Sequence, residues 1–225
     1  MDFKVLLLDS CPLVWEGLAH IIARESGFIV CGAVGTASEA LAAVNRLEPD
    51  LLILDIDLGH SDGLELIKAL KAQRPSLRML VTSRLPEDQY AERALRSGAH
   101  GFIGKTQPCS CVLHALRTVA AGGIWFSESV TTQLLRQVQD GRSAEQHCPL
   151  TDRELQVLRL IGSGLRTGKI AQEMGVSVKT IETYRERLKI KLKLADSNQL
   201  HDRARDWVEN GCAECPRAVA SRSAG

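Results

Sequence analysis

Two aspartates, a serine and a lysine are the residues of this chain best suited to chemistry: Asp9, Asp55, Ser83 and Lys105. Each closes or follows a short, largely apolar run. Lys4–Leu8 leads into Asp9, Leu51–Leu54 into Asp55, Arg78–Thr82 into Ser83, and Gly101–Ile103 towards Lys105. Short apolar runs read as strands buried on both faces, the pattern of a parallel sheet. In an open α/β sheet, the carboxyl ends of the strands face the functional crevice. A bare carboxylate there is expensive to bury unless a cation, water or chemistry accompanies it. The alternative is an Asp that merely opens the next turn.

In a sheet of order 2-1-3-4-5, the crevice lies between the first and third strands. Those strands end in Asp9 and Asp55, so the two carboxylates are predicted to converge. Like charges at close range are relieved by a hard divalent cation with oxygen ligands. Mg²⁺ is satisfied by one or two carboxylates, waters and phosphate oxygens. A phosphoryl group held there could be attacked by Asp55, a weak but competent nucleophile. The transferring group wants a fixed cation and a hydroxyl donor. Lys105 and Ser83 stand at the same sheet edge.

The elements that must position these residues follow in order. Pro12 suits the first turn of a helix carrying Leu13, Trp15, Leu18, Ile21 and Ile22. Phe28–Ala33 is the second strand. Ser38 is expected to cap a helix through Leu41, Val44 and Leu47, which Pro49 stops. After the Asp55 strand, Gly63 opens a loop, and Leu64, Ile67 and Leu70 mark a helix ending near Pro75. Pro86 starts another, which Gly98 ends. Pro108 starts the last, closed by Gly122 and Gly123. Strand and helix alternate five times, which predicts one doubly wound α/β sheet over residues 1–123. Residues 124–149 read as a linker with a short helix from Trp125 to Leu135, ending in a polar stretch broken by Gly and Pro.

Residues 150–208 read as an all-α second domain. Thr151 and Glu154 form a capping box at its first helix. A short helix, Thr167–Met174, a turn at Gly175 and a longer helix, Val178–Lys193, have helix-turn-helix proportions. A last helix covers Asn198–Trp207, and residues 209–225 form a tail with little to bury. Ile181, Leu188 and Leu192 fall on one line of the longer helix, so Lys179, Glu182, Thr183 and Glu186 point the opposite way, towards DNA, and Thr180 is assigned to the same contact. Tyr184, Arg185, Arg187, Lys189 and Lys191 flank it and suit phosphates. Glu182 and Glu186 could accept from cytosine amino groups. The plain alternative is a solvated charged helix.

Charge supports two jobs. Residues 1–125 hold 12 Lys/Arg against 14 Asp/Glu, whereas residues 150–207 hold 12 against 8. An acidic half joined to a basic half points to a polyanion partner for the second. No apolar run approaches the roughly 20 residues of a membrane span. Seven cysteines without an export signal predict reduced thiols in a cytoplasm. Cys212 and Cys215 read as tail thiols rather than zinc ligands, Cys11 as a thiol near the crevice rim, and His60 and His100 as ordinary surface residues near it.

Residues 1–121 resemble a response-regulator receiver domain through Asp9, Asp55, Ser83 and Lys105, with Gly98-Ala99-His100-Gly101-Phe102 before the lysine. The resemblance implies that Asp55 accepts a phosphoryl group from a sensor histidine kinase. It implies that Asp9, Asp55 and the Asp57 carbonyl hold Mg²⁺, that Ser83 and Lys105 bind the phosphoryl oxygens, and that Phe102 is the switch aromatic. Two positions depart from the pattern: Ser10 stands where the family has a second acid, and Gly59 where it has Pro. Loss of that acid weakens the expected Mg²⁺ site and leaves open a regulator that works without phosphorylation. Residues 150–207 resemble the LuxR-type DNA-binding domain through Leu150–Leu158, Lys169-Ile170-Ala171 and Val176–Tyr184, with Lys169 where Glu is usual. Together the two resemblances imply a NarL/FixJ-type transcription regulator that binds double-stranded DNA as a homodimer, its last helix supporting dimerisation. Leu54–Leu58 also resembles the aspartyl-nucleophile motif of haloacid-dehalogenase-type phosphatases. That motif needs Thr or Val at Gly59 and a later acidic pair, and the chain has neither, so a non-enzymatic role is expected.

Overall fold

The computed structural model describes residues 2–58, 61–139 and 150–210. Gly59, His60, residues 140–149 of the predicted linker and the tail from Gly211, with Cys212 and Cys215, lie outside the described residues. The chain forms two compact units, Met1–Leu135 and Arg136–Gly225.

The first unit runs β1 (Phe3–Leu8), α1 (Pro12–Ile22), β2 (Phe28–Val34), α2 (Ala37–Leu47), β3 (Leu51–Leu54), β4 (Asp57–Leu58), β5 (Ser61–Asp62), α3 (Gly63–Gln73), β6 (Arg78–Ser83), α4 (Glu87–Ser97), β7 (Gly101–Gly104), α5 (Cys109–Ala120) and α6 (Glu128–Gln139). The main sheet is parallel, in the order β2-β1-β3-β6-β7. This is the predicted 2-1-3-4-5 order, with the short antiparallel pair β4–β5 standing apart. β1 and β3 are adjacent and in step, Val5 opposite Leu51 through Leu8 opposite Leu54. Val5 to Leu7 and Leu51 to Leu54 are fully buried, because helices cover both faces of the sheet.

Three local details differ from the reading of the sequence. Thr36, not Ser38, caps α2: its hydroxyl accepts from the Glu39 amide while the Glu39 carboxylate accepts from Thr36 N. The Thr-x-x-Glu spacing satisfies two helix-start donors at once, which Ser38 could not. Gly63 does not open a loop but is the first residue of α3, capped by Asp62, whose carboxylate accepts from Leu64 N and Glu65 N. A Cβ at Gly63 would lie 2.4 Å from the Ile56 Cα, so the helix start presses directly on the backbone beyond β3. The predicted helix from Trp125 begins only at Glu128. Trp125 instead pairs with the edge strand, donating its amide to His100 O and accepting from Phe102 N, both at 3.0 Å.

The second unit holds α7 (Asp152–Gly162), α8 (Thr167–Met174), α9 (Val178–Leu192) and α10 (Ser197–Asn210). Thr151 and Glu154 form the predicted capping box. Leu155, Leu158, Ile161, Ile170, Ile181, Leu188, Leu192, Leu200 and Ala204 are buried. Gly175 ends α8 in the left-handed region, φ 63°, which lets the chain turn into α9. α7 and α10 touch closely at Gly162, where a Cβ would lie 2.1 Å from the Ala204 carbonyl oxygen. Among the described residues, no helix is long and apolar enough to cross a membrane.

Candidate functional site: an acidic pocket and a helix face

Asp9 and Asp55 follow the paired ends of β1 and β3, and the Asp55 amide donates to Leu8 O at 2.9 Å. Both are almost completely buried. Lys105, just beyond β7, spans them: its Nζ lies 2.5 Å from Asp9 Oδ2 and 2.6 Å from Asp55 Oδ2. The other Asp55 oxygen, Oδ1, accepts from Ser83 Oγ and from Asp57 N, each at 2.9 Å. Asp9 Oδ1 accepts from Cys11 N at 2.9 Å. Ser83, at the end of β6, is fully buried, and its hydroxyl also accepts from Leu85 N at 3.3 Å. The sheet order thus brings together Asp9, Asp55, Ser83 and Lys105, from four different strand ends.

Burial alone would lower the Lys105 pKa, but the hydrogen bonds and charges of Asp55 and Asp9 outweigh it, and the ammonium is held above its ordinary value. Two carboxylates against one ammonium leave the pocket one negative charge in excess, which favours a further cation. A carboxylate pair accepts more bonds than these donors supply. The donor set is all oxygen and fits Mg²⁺, which needs only one or two carboxylates besides water. Asp9, Asp55 and the Asp57 carbonyl are the residues that would hold it. Ser10 is exposed and offers a neutral hydroxyl in place of a third acid. Among the described residues, no cluster of three His, Cys, Asp or Glu side chains makes a metal site.

The remaining residues of this unit fall as follows. Phe102 is fully buried on β7, opposite Val81. Asp57 begins β4 and pairs with Asp62 of β5. Cys11 is exposed beside Asp9. His100 is not a surface residue near the crevice. It precedes β7 at the opposite end of the sheet, where its Nδ1 accepts from Met79 N at 3.1 Å. Burial first, then the charges of Lys71 and Arg78, lower its pKa. A four-residue strand separates it from Lys105 and the pocket.

On α9, Lys179, Glu182, Thr183, Glu186 and Arg187 are exposed, while Ile181 and Leu188 are buried behind them. Thr180 is partly buried and shares its hydroxyl with the capping Ser177 at 2.8 Å. Tyr184 is half-buried. Arg185 contacts His201 of α10 at 3.2 Å, and Lys189 pairs with Glu186 at 2.9 Å. Lys191 stands apart from the basic flank: its Nζ lies 2.7 Å from Oε2 of the buried Glu154. Burial would raise the Glu154 pKa, but Lys191 and the bonds to Thr151 overcome it and hold it below the usual carboxylate value.

The family model of the response regulator receiver domain matches residues 5–117. That of the bacterial regulatory proteins of the luxR family matches residues 148–204. The transcriptional activator protein ExaE of Pseudomonas putida is 34% identical over 198 residues, which are 87% of this chain and 92% of that protein. The response regulator protein VraR of Staphylococcus aureus is 29% identical over 199 residues, 88% of this chain and 94% of its own. A structure of the Salmonella typhimurium RcsB response regulator, described for its conformational dynamism in DNA interaction, superposes with a TM-score of 0.70 at 22% identity, covering 91% of this chain and 98% of that one. RcsB from Salmonella enterica serovar Typhimurium bound to promoter rprA with the phosphomimetic BeF3⁻ gives 0.66 at 22% identity, covering 91% and 99%. At that identity the likeness concerns the fold. The acidic pocket and the helix pair thus lie within the two matched segments, and the chain belongs to the response regulators of the NarL/FixJ type, transcription regulators that join a receiver domain to a LuxR-family DNA-binding domain.

Proposed function

We propose that this regulator is switched by phosphorylation of Asp55 and in turn controls how its helix-turn-helix domain grips duplex DNA. The observation that carries the reading is the convergence of Asp9, Asp55, Ser83 and Lys105 in one buried, hydrogen-bonded group. The donor is the phosphohistidine of a sensor kinase. An Asp55 oxygen forms the new O–P bond as the P–N bond breaks, and the imidazole leaves with the bonding pair and takes up a proton. Lys105 and Ser83 are positioned to meet the phosphoryl oxygens as charge builds on them. Mg²⁺, when bound, neutralises those oxygens as well. Phe102 follows the movement of Ser83. The chain acts as a cytoplasmic regulator rather than as an enzyme turning over phosphate esters.

On DNA, α9 enters the major groove. Thr180, Glu182, Thr183 and Glu186 face base edges, with Lys179, Tyr184, Arg185, Arg187 and Lys189 along the phosphates. α10 supports a homodimer. A duplex selected from a random pool tests the whole reading. Its affinity for the wild-type chain should rise or fall with Mg²⁺ and acetyl phosphate, while the Asp55→Ala protein should bind equally with and without them. A second reading, regulation without phosphorylation, is favoured by the neutral, exposed Ser10, and predicts no response from either protein.

A further inference from the structure

We propose that Trp125–Ser127, the segment that leads into α6, is a latch read by the acidic pocket through two hydrogen-bonded routes. This inference concerns the regulation of the same pocket and rests on the receiver reading for its trigger, but not for its wiring.

The first route starts at Asp55 Oδ1. Ser83 Oγ donates to it at 2.9 Å and accepts from Leu85 N at 3.3 Å. Ser83 therefore fixes the turn that enters α4. Two residues on, Glu87 in the first turn of α4 accepts from the Ser127 backbone N at 2.9 Å. Ser127 caps α6: its hydroxyl accepts from Val130 N at 3.4 Å and its carbonyl from Thr131 N at 2.9 Å. A pull on Ser83 thus reaches the start of α6 across one turn and one side chain.

The second route starts at Asp55 Oδ2. Lys105 Nζ holds it at 2.6 Å, and the Lys105 amide donates to Ser83 O at 2.8 Å, which ties both routes together at β6. Lys105 directly follows the strand whose Phe102 amide donates to Trp125 O. Contact there is close: a Cβ on Gly101 would meet the Trp125 carbonyl oxygen at 2.9 Å. The Trp125 ring also lies on His114 of α5, 4.6 Å between centroids. Beyond the latch, α6 carries the chain past Leu135, the last residue of the first unit.

Both routes are made of discrete bonds that break or hold, the kind of contact that can give a segment two arrangements. A new acceptor on Asp55 competes for Ser83 Oγ and Lys105 Nζ. It thereby frees or redirects the Leu85 turn and β7 together. Glu87 then loses or keeps Ser127 according to the state of the pocket.

Amide hydrogen exchange in the full chain tests this without any DNA. Ser83→Ala, which cuts the first route at the pocket, should speed exchange at Ser127 by about tenfold. Glu87→Ala should do the same, and Glu87→Gln, which keeps an acceptor oxygen, should restore the wild-type rate. Exchange at Ser127 within twofold of wild type in both Ser83→Ala and Glu87→Ala overturns the latch. Beryllofluoride with Mg²⁺ separates the two proposals. If it alters exchange at Asp57 and Leu85 but leaves Ser127 and Phe102 untouched, the latch is wrong and the receiver reading stands. If it alters nothing while Ser83→Ala still speeds Ser127, the latch stands and phosphorylation of Asp55 does not.

Discussion

Lys191 of α9 and Glu154 of α7 are locked together at 2.7 Å inside the second unit, with Glu154 only 2% exposed. The glutamate also closes the Thr151 capping box, so one carboxylate serves a helix start and a helix–helix contact. Lys191 is therefore a structural lysine in a basic stretch, set apart from its neighbours by its buried partner.

The first prediction separates Lys191 from Lys179. Lys191→Ala should cost about 2 kcal/mol of stability, the worth of a charge-assisted bond. The salt dependence of DNA binding should stay as it is. Lys179→Ala should leave stability unchanged and lower the salt slope by about 1. Urea unfolding and DNA titrations across salt concentrations read both. Equal stability losses in the two variants would remove the distinction.

Acidification should weaken the second unit through the same pair. The Glu154 pKa is depressed in the folded state, so its contribution is present above the ordinary glutamate value of about 4.3 and is lost as pH falls through the lower folded value. Glu154→Gln should flatten that acid limb in unfolding experiments. An unchanged acid limb would contradict the assignment.

His100 carries a second pH dependence, in the receiver. Its folded pKa is lowered, first by burial and then by Lys71 and Arg78, and its Nδ1 must be neutral to accept from Met79 N. Stability is therefore full above about pH 6.5 and falls as pH drops through the folded pKa. NMR titration should place His100 below 6.5, and a value above it would reverse the sign.

Lys105→Met should leave Asp9 and Asp55 buried without their cation. Removing one partner from such a group costs about 3–5 kcal/mol. Adding Asp9→Asn should recover part of the loss, measured by urea unfolding. A single variant as stable as wild type would show that the ammonium is not needed to hold the carboxylates together.

Much of this site can be read from residue order. Apolar runs ending in Asp9 and Asp55 fix the strands, and the parallel order makes their ends neighbours. Helix caps were harder. Ser38 and Thr36 are both good caps, and only the reciprocal bond to Glu39 decides between them. Trp125 carries no strand pattern, since one pair of backbone bonds to an edge strand leaves no periodicity in side chains. Lys191 looks like its basic neighbours because charge runs report exposure only on average. Its partner, Glu154, lies 37 residues away and is hidden by its role in the capping box. Nothing in the residues around His100 reveals which end of β7 it occupies.

The pocket's purpose is tested most directly by intact and peptide mass spectrometry after incubation with Mg²⁺ and acetyl phosphate. One added phosphoryl group is expected, located on Asp55 and absent from Asp55→Ala. Labelling should be slower in Lys105→Met. A wild-type chain that stays unmodified, or one labelled elsewhere, would contradict this assignment.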